Sequence, residues 1–297
     1  VQFTELWRRA NFTDRLLVIY FAMLAVAIAI RHDRVEGWPW YVGLHTVILA
    51  LIAGLVRRGG HGHAWYPLAI PLIAFPEAAQ LHDLFVDDWR DHYILAFEES
   101  LFAVPPTVWF TRWSAPAFSE LVQLGYLSYF LFLPLVAAML YLRTDRTPFF
   151  TLMAATMLGY VVCYAVFLIF PTEGPARTLR HLHTQPLPSG PLLSIVLFIQ
   201  QAGTHGNAFP SAHVVGAVVP VIFAWRYVPA LAAWLLPLLP LMCVGAVYDR
   251  YHYASDILGG VLIGAAAAWA LLEKSHHDQP PMSKMRQRDG AGFSGRS

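Results

Sequence analysis

Three short stretches gather ionisable side chains beside long apolar runs. They are Glu173-Gly174-Pro175-Ala176-Arg177, Phe209-Pro210-Ser211-Ala212-His213 and Asp249-Arg250-Tyr251-His252-Tyr253-Ala254-Ser255-Asp256. Their residue types suit phosphoryl transfer. Arg177 and Arg250 carry planar, permanently charged forks that match phosphate oxygens. Pro210 suits the first turn of a helix, so Ser211 and the backbone N–H groups after it would face outward at a helix N-terminus, where anions bind. His252 and Asp256 are spaced i, i+4 and can share one helix face. The carboxylate would then hold one ring nitrogen of His252 and leave the other free as a nucleophile. His213 remains to protonate a departing oxygen. The set supplies nucleophile, acid and anion-binding groups with no metal and no cofactor.

The elements that must position these residues are membrane helices. Of 297 residues, 57% are hydrophobic and 13% charged, with a mean hydropathy of +0.49. A soluble domain averages about 45–50% apolar and about 25% charged. The net charge of +1 leaves no basic surface for nucleic acid. Cys163 and Cys243 each lie inside an apolar run and read as buried small hydrophobes, not as a bridge. A spanning helix needs about 20 mostly apolar residues. Eight stretches qualify: Leu16–Ile30, Trp38–Val56, Ala64–Leu81, Leu121–Leu142, Phe149–Phe170, Ser211–Trp225, Pro229–Val247 and Tyr253–Leu272. The third is the weakest, because it holds Pro67, Pro71, Pro76 and Glu77. The first resembles a signal peptide in its flanking arginines but reads as an uncleaved span.

The expected fold is an all-α integral membrane protein of about eight helices. Residues 1–84 form N-terminal membrane helices, 85–118 an acidic and aromatic interfacial segment, 119–273 the catalytic core and 274–297 a disordered cytoplasmic tail. With eight spans the termini share a side. Thirteen Lys and Arg fall on that side against seven on the other, which puts both termini in the cytoplasm. The sixth span then runs inward from His213 and the seventh returns, so His213, His252, Arg177 and Arg250 converge at the extracytoplasmic or lumenal surface. Ionisable groups at membrane depth are costly and mark functional sites.

This ordered set resembles the type 2 phosphatidic acid phosphatase (PAP2) superfamily. His252 and Asp256 match its His-x-x-x-Asp signature. Pro210, Ser211, Ala212 and His213 match Pro-Ser-Gly-His with one Gly-to-Ala change. Arg177 corresponds to the arginine of the first signature, although Thr178 replaces the proline after it. The resemblance implies a six-helix core, with His252 as nucleophile, His213 as general acid and Arg177 and Ser211 on the phosphate. Two departures stand out. Phe170 occupies the position of the usual lysine, and Gly245-Ala246 that of the usual Ser-Arg, so Arg250 would supply the missing charge. The wording around Tyr251-His252-Tyr253, with Asp91–Phe102 and Tyr126–Tyr129, is similar to the branch that includes inositol phosphorylceramide synthases.

Three functions follow as expectations. The first is a lipid phosphate phosphatase in which water cleaves a phosphohistidine. The alternative is a lipid phosphotransferase that passes the phospho-headgroup to a lipid alcohol. The distant alternative, a non-enzymatic anion transporter, predicts polar residues through the bundle, of which the last three spans are nearly devoid. Glu77 reads as an interhelical hydrogen bonder or as a sign that its span is misdrawn. His45 and Gln123 read as ties between helices, Glu173 as a turn residue, His205 as structural, and His181 and His183 as solvated.

Overall fold

A computed structural model describes residues 2–113, 115–188, 190–200 and 206–277. Among the described residues the regular elements are all helices. A short α1 (Gln2–Arg9) leads into α2 (Phe12–Ile30) and α3 (Trp38–Arg58). Next come α4 (Gly60–Trp65), a 3₁₀ turn (Tyr66–Ala69), α5 (Ile70–Gln80), α6 (Asp91–Leu101) and α7 (Pro106–Trp109). The remainder is α8 (Pro116–Tyr141), α9 (Thr147–Ile169), α10 (Pro175–Thr178), α11 (Pro191–Gln200), α12 (Ala212–Tyr227), α13 (Pro229–Tyr248) and α14 (Ala254–His277).

Six of these helices, α2, α3, α8, α9, α13 and α14, are long and apolar enough to cross a membrane. The sixth expected span is the shorter α12, whose 16 residues reach only about 24 Å at 1.5 Å per residue. It is buried almost all round by α8, α9, α13 and α14, so it is the inner helix of the bundle. The third expected span is not one helix. Pro67 and Pro71 each lack an N–H, and the stretch breaks into α4, the 3₁₀ turn and α5. The residues of the expected tail beyond His277 lie outside the described residues.

The N-terminal helices are pinned by polar ties. Asn11 and Asp14 form a reciprocal capping box at the start of α2, with bonds of 3.0 and 2.8 Å. The same Asp14 carboxylate accepts from Tyr66 at 2.7 Å and meets His63 Nε2 at 2.9 Å, which fixes α2 against the α4 region. Deeper in the bundle, His45 Nε2 and Glu77 Oε1 meet at 2.6 Å with both side chains buried. Glu77 is therefore an interhelical tie, and its place in an apolar run reflects a partner.

The acidic segment after α5 is not a solvated loop. Asp91 and Glu98 lie two turns apart on α6, so both point to one face, and both are buried. Asp91 accepts from the backbone N–H of Glu173 at 2.8 Å and Gly174 at 2.9 Å, and from the Tyr253 hydroxyl at 2.9 Å. Glu98 accepts from the Ser255 N–H at 2.9 Å and its hydroxyl at 3.1 Å. The strap thus clamps the loop after α9 to the start of α14.

Removing one partner of the His45–Glu77 pair leaves a polar group buried without its bond. Glu77→Ala should destabilise the fold by about 1–3 kcal/mol. The double change His45→Phe with Glu77→Leu should recover much of that loss. Thermal unfolding in detergent tests the coupling, and strictly additive losses would show that the two side chains do not support one another.

Candidate active site

His252 is held at every polar atom of its ring. Nδ1 lies 2.9 Å from the Ala208 carbonyl and 3.2 Å from Asp256 Oδ2. Both partners accept, so Nδ1 carries the proton. Nε2 then presents its lone pair, 3.1 Å from Ser211 Oγ. Ser211 caps α12 and accepts from the Val214 N–H at 3.3 Å, which leaves its hydroxyl proton for Nε2. His252 itself is 4% exposed. Burial pushes its pKa down to about 4, against the upward pull of the Ala208 carbonyl, so the ring is neutral.

Two local expectations need correction. His252 precedes α14 and shares no helix face with Asp256. Instead Asp256 reaches back from the first turn to accept from the Tyr253 N–H at 2.8 Å, and the same oxygen meets His252. Pro210 is likewise not the first helical residue. Ser211 is the cap and Ala212 opens the helix, while Pro210 follows a cis peptide bond outside it. The starts of α12 and α14 are joined by the Ser211 N–H to the Asp256 carbonyl at 3.0 Å. Gly260 makes this approach fit, because a Cβ there would sit 2.5 Å from the Ser211 carbonyl oxygen.

A cavity of about 470 Å³ opens beside His252, lined also by His213, Arg177, Arg250, Glu173 and Asn207. The His213 ring centroid lies 5.8 Å from that of His252, and Phe75, Tyr126 and Tyr129 surround it. Ala212 and His213 line the cavity as the first residues of α12, so its unpaired N–H end faces the space. Arg177 is half-exposed and pairs with Glu173 at 3.2 Å. Arg250 reaches the Gln185 carbonyl at 2.6 Å, and its Nε is buried without a partner among the described residues. Burial pushes its pKa down, with Tyr248 and Asp249 pulling the other way. The neighbouring Asp249 carboxyl is pushed up to about 7 by burial; Gln123 and Arg250 oppose this.

Arg177, Ser211, His213, Arg250, His252 and Asp256 therefore meet at one site. Sequence reasoning missed the Ala208 carbonyl, Asp91, Glu98 and Thr172. Thr172 accepts from the Phe209 N–H through Oγ1 at 2.8 Å and from the Ala208 N–H through its carbonyl at 3.3 Å, which sets the loop that carries Ala208. The signal for Asp91 and Glu98 was their seven-residue spacing on a helix. No sequence pattern marks a backbone carbonyl. Ala246, at the position of the family arginine, is buried, and its carbonyl accepts from the N–H groups of Tyr251 and His252. His183 is half-buried and meets Thr107 Oγ1 at 3.2 Å, so it is not a solvated loop residue. Gln123 bonds Asp249 and ties α8 to the end of α13. His205 lies outside the described residues.

Residues 174–278 match the model of the PAP2 superfamily. Over 134 residues the chain is 29% identical to a phosphatidylinositol:ceramide inositolphosphotransferase of Leishmania major, covering 39% of this chain and 39% of that protein. No solved structure matches the chain. The matched segment begins at the loop that Asp91 holds and runs through α14, and over this segment the chain is similar to the PAP2 superfamily.

Proposed function

We propose that this protein catalyses metal-independent phosphoryl transfer on a membrane lipid phosphate, through a phosphohistidine at His252, with hydrolysis as the overall reaction. The observation that carries this reading is the tautomer lock on His252: two acceptors on Nδ1 leave Nε2 as a lone-pair donor beside the cavity. Nε2 attacks phosphorus as the bond to the lipid oxygen breaks, and His213 gives that oxygen its proton. Water then attacks phosphorus, the electron pair of the N–P bond returns to Nε2, and His213 takes the water proton. Arg177, Arg250 and the α12 N-terminus meet the equatorial charge. Ser211 orients the phosphate and the ring, and Asp256 positions His252.

Transfer to a lipid alcohol is the second reading. The relative named as a phosphatidylinositol:ceramide inositolphosphotransferase favours it, as do Phe170 and Ala246 where family phosphatases carry lysine and arginine. Up to the intermediate the chemistry is the same, and an alcohol then replaces water. The excess of Lys and Arg on the side of the termini supports an extracytoplasmic or lumenal site with both termini cytoplasmic.

Backbone geometry supports a role for Arg250 beyond its local bonds. It takes a left-handed φ of 66°, just past the end of α13, where glycine is the usual residue. A side chain there costs about 1 kcal/mol, so the guanidinium offsets a strain that glycine would avoid.

Four variants test the reading with purified protein, a panel of phospholipid donors and assays for both free phosphate and new phospholipid. His252→Ala should abolish turnover. His213→Ala should lower kcat by about 10²–10⁴-fold. Asp256→Asn should lower kcat more than it raises KM. Full activity in either histidine variant would sink the mechanism. Arg250→Gly should hold or raise Tm while kcat/KM falls; a parallel loss of both would reduce Arg250 to a structural residue.

A further outcome concerns pH. A histidine whose folded pKa is about 4, against about 6.5 unfolded, binds fewer protons when folded. Its contribution to stability is therefore complete above pH 6.5 and is lost as pH falls from 6.5 towards 4. Tm should drop across that window, and less steeply in His252→Phe. The acid limb of kcat/KM should lie near pH 4; a limb near 6.5 would mean that the attacking ring is solvated.

A further inference from the structure

The cavity exceeds what a phosphate needs, and its chemistry changes away from His252. Its charged lining is Glu173, Arg177 and Arg250. Past His213 the lining turns to tyrosine. Tyr129 packs on His213 with centroids 5.0 Å apart, and its hydroxyl lies 3.1 Å from that of Tyr160. Tyr164 stacks on Tyr160 at 6.0 Å.

We propose that this tyrosine-lined region is a subsite for the alcohol side of the P–O bond. It takes a neutral membrane lipid whose reacting hydroxyl is flanked by a second hydrogen-bonding group, an amide, ester or hydroxyl. The inference rests on the phosphoryl-transfer reading and adds to it where, and by which residues, the lipid alcohol is held.

Four observations carry it. Tyr164 is among the residues that line the cavity, and its hydroxyl is buried with no partner among the described residues; the residue is 1% exposed. Such a hydroxyl is costly unless a ligand satisfies it. Tyr129 and Tyr160 use one hydroxyl proton between them, which leaves one proton and several lone pairs for a guest. No charged side chain lines this region, so the guest is neutral. Finally, α12 is shaped to admit the Tyr160 hydroxyl: a Cβ at Gly216 would sit 2.1 Å from it. Gly216 is nearly one turn beyond His213, so the tyrosines sit deeper in the bundle than the phosphate groups. The cavity also reaches Leu72 and Phe130, which are 78% and 47% exposed and so offer an apolar exit for lipid chains.

The same subsite serves both directions of the chemistry. When the lipid oxygen leaves, its bond to phosphorus breaks as Nε2–P forms, and the oxygen takes the His213 proton. When a lipid alcohol accepts, its O–P bond forms as Nε2–P breaks, the electron pair returns to Nε2, and its proton returns to His213.

Binding to His252→Ala protein, which cannot turn over, tests the subsite without activity. The probe is NBD-hexanoyl ceramide in detergent micelles, compared with an NBD-labelled alkane of equal length that lacks hydroxyl and amide. The ceramide probe should bind about tenfold tighter than the alkane. Tyr160→Phe and Tyr164→Phe should each narrow that gap several-fold with Tm unchanged. Gly216→Ala, which displaces the Tyr160 hydroxyl, should do the same. Equal binding of the two probes, or a gap that these variants leave intact, would overturn the proposal. Phosphate labelling of His252 in the otherwise unaltered protein separates the two readings. Labelling with no selective ceramide binding defeats the subsite alone. Selective binding with no labelling upholds the pocket and defeats the reaction.

Discussion

The pair of bonds on His252 Nδ1 is the constraint from which the site's design follows. A neutral imidazole at a membrane boundary could carry its proton on either nitrogen. Two acceptors at 2.9 and 3.2 Å remove that freedom, and each acceptor must itself be fixed. The Ala208 carbonyl is fixed because Thr172 holds the N–H groups of Ala208 and Phe209. Asp256 is fixed by the Tyr253 N–H, and the start of α14 by Glu98. Supports of this kind matter because a reacting atom displaced by about 1 Å can cost about 10²-fold in rate.

The apolar bundle and the polar site are thus two parts of one arrangement. Small residues let α12 and α14 approach until Ser211 and Asp256 exchange a backbone bond at 3.0 Å. The bundle then brings three loops to one end: the loop after α9, the loop before α12 and the loop after α13. The α6 strap crosses two of these regions and fastens them with two buried carboxylates. Removal of the strap would leave the helices packed and the loops untethered.

Much of this was legible in the sequence, for physical reasons. Runs of about 20 apolar residues are unambiguous in a chain with 13% charge, and span parity alone brings Arg177, His213 and His252 to one surface. The failures were local. Spacing of i, i+4 suggests a shared helix face, but a carboxylate in the first turn can reach a residue outside the helix equally well. A proline before a serine suggests a helix start at the proline, whereas the serine side chain is the better cap. The 85–118 segment reads in the sequence as acidic, aromatic and interfacial. Its acidic residues looked solvated because their partners are backbone N–H groups more than 80 positions away. Contacts of that kind leave no composition or period behind.

Three buried carboxylates, Asp91, Glu98 and Asp256, surround the start of α14, next to the site we propose holds a phosphate anion. Their placement answers the apparent conflict. Asp91 through both oxygens and Glu98 through Oε1 accept from backbone N–H groups and hydroxyls, and neither lines the cavity. Burial raises the Glu98 pKa, against the bonds from Ser255 and Ala254. The cations take the opposite arrangement, since Arg177 and Arg250 line the cavity directly. These three carboxylates stand off the cavity lining, where they orient donors, and the two arginines stand on it. A carboxylate on the cavity side would repel the substrate, and an arginine behind the loop would neutralise the acceptors that fix His252. Glu173 is the exception on the cavity side, and its pairing with Arg177 at 3.2 Å makes it the counter-ion of that guanidinium.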